Sequence, residues 1–180
     1  MPEDDGFLIA QMQRGDRGAM RAIYIRYKDV LLTAAQCLLR ERSAAEDCLH
    51  DMFVAFAGGV RRFDPSRNLK GYLVTCISNQ ARDRMRLAGR QVPLSPVAAD
   101  EQTDAPGPAG QLAAREEAQA VWAAVAQLPY EQREAVTLRI HADLTFRQIA
   151  QYQDVPVSTV QARYRYALEK LSGLLSGARP

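Results

Sequence analysis

TFRQIAQYQDVPVSTVQARYRYALEKL, residues 145–171, is the stretch whose reading decides the fold. Apolar residues recur at helical steps on both sides of Asp154-Val155-Pro156. The second run carries Arg163, Arg165 and Lys170 against a single acid, Glu169. Two short helices joined by a tight turn, the later one basic, match the helix-turn-helix pattern, in which the second helix enters the DNA major groove. Ile149, Ala150 and Val160 are placed to pack the two helices together, and Ala150 is small enough to let them approach closely. Asp154 sits where such a turn takes a left-handed backbone, which Gly adopts most easily and Asp tolerates. Ser158 and Thr159 open the second helix, where hydroxyls cap it or bind a phosphate. Gln161 and Arg163 carry the side chains that read adenine and guanine edges. A helical hairpin with a solvated basic face would show the same periodicity, so this stretch alone leaves both readings open.

Working outward, the charge is unevenly distributed. Residues 1–90 hold 15 Lys/Arg and 11 Asp/Glu, and residues 113–180 hold 8 and 7, although the whole chain of 180 residues is only +2. Between them, QVPLSPVAADEQTDAPGPAGQL (residues 91–112) holds Asp100, Glu101 and Asp104, no base, four prolines and two glycines. Such a segment buries too little apolar surface to offset the cost of ordering it and is expected to be a tether. The chain therefore divides into residues 1–90, a linker at 91–112, and residues 113–180. It contains no internal repeat.

Both halves read as helical, and the expected fold class is all-α: two small helical domains on a flexible linker, the C-terminal one with the helix-turn-helix. In AMRAIYIRYKDVLLTAAQCLL, Met20, Ile23, Tyr24, Tyr27, Leu31, Ala34 and Leu38 recur at three- and four-residue steps. A second helix is expected from Ser43, as an N-cap with Glu46 in capping-box position, to Gly58-Gly59, turning Leu49, Met52, Phe53 and Phe56 inward. A third runs from Leu69 through Tyr72, Leu73, Cys76, Ile77 and Ala81 to about Leu87. Beyond the linker, Leu112 to Gln127 and Glu131 to Ile140 are expected to be helical. No stretch alternates with period two.

Several function classes lack their residues. Cys37, Cys48 and Cys76 lie in apolar periodic segments without CxxC spacing and read as reduced core residues. Cys48-x-His50 puts its two side chains on different sides of a helix, so no metal site and no cofactor is expected. No Gly-rich phosphate loop or Ser/Cys–His arrangement appears, so neither an enzyme nor a small-molecule substrate is expected. The acidic start MPEDDGF is unlike a signal segment, and no apolar run reaches the ~18 residues that span a bilayer. A cytoplasmic protein without membrane insertion is the expectation.

The N-terminal half adds a second basic feature. ISNQARDRMRLAGR places Asn79, Arg82 and Arg86 on a shared helix face, with Arg84 and Arg90 near. Just upstream, FDPSRNLKGYL gathers Phe63, Arg67, Asn68, Lys70 and Tyr72 around a turn. Aromatics beside basic and amide groups suit unpaired bases, which stack on rings while their phosphates meet positive charge. Phe63 and Tyr72 would serve equally well as core.

At this point the chain resembles the extracytoplasmic-function RNA polymerase sigma factors of the sigma-70 superfamily. AEDCLHDMFVAF is similar to that family's core-polymerase-binding helix, and FDPSRNLKGYLVTCISNQARD to its −10-recognition segment, with Tyr72 where Trp is usual. LPYEQREAVTLR and the stretch quoted first are similar to its promoter-distal domain. The resemblance implies a transcription initiation factor that binds core RNA polymerase and carries it to specific −35/−10 promoters, with promoter melting. It implies that Asp47, His50, Asp51 and Phe53 meet the polymerase clamp, and that Asn68, Lys70, Tyr72, Asn79, Arg82 and Arg86 face −10 DNA. Ser158, Thr159, Gln161, Arg163, Arg165 and Tyr166 would face the −35 element, and the linker would thread toward the polymerase's RNA path. An anti-sigma factor clamping both domains is a further partner the resemblance implies. His50, Asp51, Gln148, Asp154 and Tyr166 depart from the residues usual in the family, and Tyr166 bears on promoter choice. The alternative is a helix-turn-helix regulator that binds operator DNA without acting as a sigma factor, although residues 1–90 offer no strands for a receiver domain.

Overall fold

The computed structural model describes residues 4–91 and 109–176, with the backbone path alone for 88–91 and 109–116. The expected linker therefore lies largely outside the described residues, as does the side chain of Arg90. Eight α-helices follow in chain order: α1 (Asp5–Gln13), α2 (Arg17–Leu39), α3 (Arg42–Gly59), α4 (Leu69–Gln91), α5 (Ala109–Ala126), α6 (Tyr130–His141), α7 (Phe146–Gln153) and α8 (Val157–Ser176). A 3₁₀ turn, Val60–Arg62, follows α3, and no strand occurs among the described residues. The fold is all-α, as the periodicity requires.

Three helix starts, those of α2, α4 and α7, are set by side chains that take up free N–H groups. Asp16 accepts from Gly18 N–H (2.7 Å) ahead of α2, and Asn68 accepts from Gly71 N–H (3.0 Å) ahead of α4. Thr145 and Gln148 form a capping box before α7. The box expected at Ser43 is absent. α3 begins two residues earlier, with Glu41 at its N-cap; Ser43 donates to the Glu41 carboxylate, and Glu46 pairs with Arg42 one turn back. Once Glu41 stands at the turn into the helix, Ser43 already lies inside the first turn and has no N-cap role to fill.

α1 escaped the sequence reading, although Leu8, Ile9 and Met12 share a helical spacing and are buried. It packs on α2 and reaches over the 3₁₀ turn, where Gln13 Nε2 donates to the carbonyls of Val60 (3.0 Å) and Phe63 (2.7 Å). Of the apolar stripe expected on α2, Ile23, Leu31, Ala34 and Leu38 are buried, Met20 and Tyr27 half-buried, and Tyr24 exposed against the Phe53 ring.

α6 packs on α2 and α4 as well as on α7 and α8. Its Ala135 and Leu138, with Ala142 just past its end, belong to the same continuous apolar core as Leu38, Leu73 and Ile77. Within the C-terminal half, Ile149, Ala150 and Val160 are buried between α7 and α8, and Asp154 takes the left-handed backbone (φ 54°, ψ 51°). The helix-turn-helix is built as its sequence implies.

Candidate nucleic-acid interface

Three surfaces carry the candidate residues. On α3, Asp47, His50 and Asp51 are exposed, and Val54, one turn further on, is 60% exposed on the same stripe. Phe53 is not part of that surface. It is 5% exposed, with its ring 5.0 Å from that of Tyr24. Position 53 falls on the face that carries Leu49, Met52 and Phe56 into the core, so the apolar member of the outward stripe is Val54. Asp51 pairs with Arg84 of α4 at 2.5 Å, across the contact between the two helices.

The second surface surrounds the start of α4. Phe56, Phe63 and Tyr72 form a three-ring cluster, with Phe63 and Tyr72 centroids 4.7 Å apart and each ring 6.2 Å from Phe56. Phe56 and Phe63 are buried, whereas Tyr72 remains 41% exposed. The rings floor an open hollow of about 310 Å³, which Gly59, Arg62, Asp64 and Arg67 complete. Asp64 is fixed by the Ser66 N–H and hydroxyl (3.0 and 2.8 Å), which hold its carboxyl below the usual carboxylate range. A planar ring can lie against Tyr72 here while Arg62 and Arg67 meet phosphates. Arg62 escaped the sequence reading because its role depends on the loop that Gln13 holds down.

Along α4, Asn79 and Arg86 are exposed, but Arg82 and Lys70 turn toward the C-terminal half. Lys70 Nζ meets Asp143 at 2.9 Å and lowers that carboxyl's pKa. Arg82 makes two hydrogen bonds to Glu134 (3.2 and 2.5 Å) and lies 4.6 Å over the Tyr152 ring. Burial works against the Arg82 charge, yet Glu134 raises its pKa on balance.

α8 carries the third surface. Ser158 and Thr159 lie in its first turn, and Ser158, Gln161, Arg165 and Tyr166 are exposed. Arg165 stacks over Tyr166 at 5.0 Å and stands 3.8 Å from Glu169. Arg163 is set apart from these. It is half-buried and donates to Gln153 Oε1 at 2.7 Å, while Gln153 Nε2 donates to Glu134 at 2.9 Å. A cleft of about 460 Å³ between the halves is lined by Arg82, Arg86, Arg163 and Glu134.

The arrangement places a ring-floored hollow and a helix-turn-helix on one chain, and comparison with known proteins identifies the family. Sigma-70 region 2 matches residues 23–91, and Sigma-70, region 4 matches residues 118–171. The chain belongs to the sigma-70 family, in its extracytoplasmic-function branch. RNA polymerase sigma factor CnrH of Cupriavidus metallidurans is 28% identical, with 97% of this chain and 96% of that protein covered. RNA polymerase sigma-H factor of Pseudomonas aeruginosa is 25% identical over 96% and 94%. Among solved structures, CnrH in complex with the cytosolic domain of CnrY shares the fold (TM-score 0.65, 23% identity, 98% of this chain and 100% of that one). So does the sigma factor RpoE in complex with the anti-sigma factor NepR from Bartonella quintana (TM-score 0.66, 24% identity, 88% and 98%). This sigma factor is a transcription initiation factor that binds core RNA polymerase and promoter DNA.

No helix among the described residues is long and apolar enough to cross a membrane, and no group of metal-ligating side chains is assembled among them.

Proposed function

We propose that the three surfaces divide the work of initiation. Asp47, His50, Asp51 and Val54 meet core polymerase. Asn68, Lys70, Tyr72, Asn79, Arg82 and Arg86 serve the −10 element, with the ring-floored hollow receiving an unpaired base. Ser158, Thr159, Gln161, Arg163, Arg165 and Tyr166 serve the −35 element. Residues 1–90 and 113–180 are the two working units, and residues 91–112 set the reach between them. The chain acts in the cytoplasm, catalyses no reaction of its own, and is open to restraint by an anti-sigma partner, as CnrH is complexed with CnrY.

One observation carries this reading. The left-handed Asp154 turn fixes α8 so that Gln161, Arg165 and Tyr166 project outward while Val160 and Ala167 stay buried. A helix held in that attitude presents one polar face to a groove. The test is reconstitution: purified chain is added to sigma-free core polymerase with a library of promoter fragments. Promoter-specific transcripts are expected. An operator-binding regulator would yield none without another sigma factor, and that result would remove the proposal.

A further inference from the structure

Arg163 and Arg165 lie two residues apart on α8 and are held in unlike ways. Arg165 is exposed, and its carboxylate neighbour, Glu169, stands 3.8 Å away one turn along the helix. An exposed pair of that kind restrains a long side chain little. Arg163 is half-buried and donates from Nη1 to Gln153 Oε1 at 2.7 Å. Gln153 is the last residue of α7, directly before the left-handed Asp154. It lies outside the helix that a helix-turn-helix marks for base contact.

The Gln153 amide can sit only one way round. Its Nε2 donates to the Glu134 carboxylate (2.9 Å) and to the Glu131 carbonyl (3.3 Å), groups that only accept. With both amide hydrogens taken on the α6 side, Oε1 is left facing Arg163. Glu134 is itself fixed: it is 1% exposed, and the hydroxyls of Tyr130 and Tyr152 donate to it (3.2 and 3.5 Å). These groups come from α6 and α7, so the relay from Glu134 through Gln153 to Arg163 is complete within residues 113–180. A guanidinium is planar and carries its five donors in a rigid fork. Anchoring one nitrogen on Oε1 therefore sets the direction of the others, which make no further hydrogen bond among the described residues.

We propose that Gln153 is a positioning residue for promoter recognition: held by Glu134, it presets Arg163 in the orientation in which Arg163 meets the −35 element. Gln153 acts through Arg163 and not by touching DNA. An arginine that is already fixed loses less side-chain freedom on binding than a free one, so affinity rises without a new contact. This role rests on the −35 contact proposed above for Arg163.

The test is a double-mutant cycle on the holoenzyme. Full-length Gln153→Leu, Arg163→Ala and the double variant are each assembled with core polymerase, and assembly and helical circular dichroism are compared with wild type. Should the branched side chain misfit, Gln153→Met, which likewise offers no amide, replaces Gln153→Leu. The probe is a fluorescein-labelled promoter duplex that the wild-type holoenzyme has selected from a random library. Gln153→Leu should weaken binding about fivefold and Arg163→Ala about tenfold, with the double variant no weaker than Arg163→Ala alone. Losses that multiply, to about fiftyfold in the double variant, would overturn the positioning role, because Gln153 would then act independently of Arg163. So would a Gln153→Leu holoenzyme that binds as wild type while Arg163→Ala is weakened. If Arg163→Ala itself binds as wild type, the −35 role of Arg163 falls, and the positioning role with it.

Discussion

α4 and α8 are both basic helices, yet they meet solvent in different ways. The first turns of α8 owe their attitude to neighbours close in sequence, the Asp154 turn, Ile149 and Ala150, while its later turns pack on α5 and α6. Its Gln161, Arg165 and Tyr166 therefore stand outward. α4 takes its surroundings from residues far away, with Lys70 held by Asp143 and Arg82 by Glu134, 73 and 52 positions later. A basic face organised locally is left free for a groove. One organised by distant contacts is already occupied.

The contrast is most sharply broken at Arg133, the buried cation behind the α4 side. Burial lowers its pKa to about 10, and it has carbonyls and the Tyr130 ring in place of a carboxylate. Arg133→Ala should cost about 3 kcal/mol in urea unfolding, because two carbonyls lose a donor and a cavity remains. A loss below about 1 kcal/mol would mean that water replaces the guanidinium at little cost, and the distant contacts would then matter less than stated.

Tyr72 probes the part of α4's neighbourhood that is open. Tyr72→Ala should weaken promoter opening by about 1–3 kcal/mol, the range for one base stacked on an aromatic ring. Transcription from a template pre-melted at −10 should recover in part. Equal loss on duplex and bubble templates would assign Tyr72 to the core with Phe63.

On α8 the effect should be smaller and differ in kind. Gln161→Ala should cost about 1–2 kcal/mol and relax preference at a single −35 base. Arg165→Ala should weaken binding to every sequence and flatten its salt dependence. Binding to a set of −35 variants across a salt series distinguishes the two, and identical behaviour of the two variants would sink the assignment of Gln161 to base readout.

The smallest expected effect is at His141, which lies near the Lys70–Asp143 pair. Burial first, and then Lys70, lower its pKa, against an opposing pull from Asp143. A histidine whose folded pKa is depressed is protonated more readily in the unfolded chain. Stability is therefore retained above the unfolded value near pH 6.5 and falls as pH drops below it. His141→Asn should flatten unfolding midpoints measured between pH 7.5 and 5.5, and an unchanged slope would exclude His141 as the source.

What could be read from the sequence follows the same division. The turn at Asp154, its packing trio and the inward stripes of α2 and α3 obey periods of three and four, so they were legible. Ser43 misled because the N-cap depends on where the chain bends, and Glu41 stands there. Phe53 keeps the inward place its period gives it, and the outward place that the resemblance implies falls to Val54, one residue of helical rotation away. α1 is a short element whose worth comes from the loop it holds, and no local pattern reports that. Glu134 sits in a run that reads as ordinary helix. Its four hydrogen-bonding neighbours, Arg82, Tyr130, Tyr152 and Gln153, come from α4, α6 and α7, and only the folded chain assembles them.

That convergence bears on how promoter preference can drift. A substitution at Arg163 that adapts α8 to a new −35 sequence also takes a donor from Gln153, which helps hold the carboxylate that Arg82 shares. Neighbours in one network do not vary independently. Changes of −35 and −10 taste should therefore be inherited as linked pairs, with substitutions at 163 tolerated best beside compensating ones at 153 or 82.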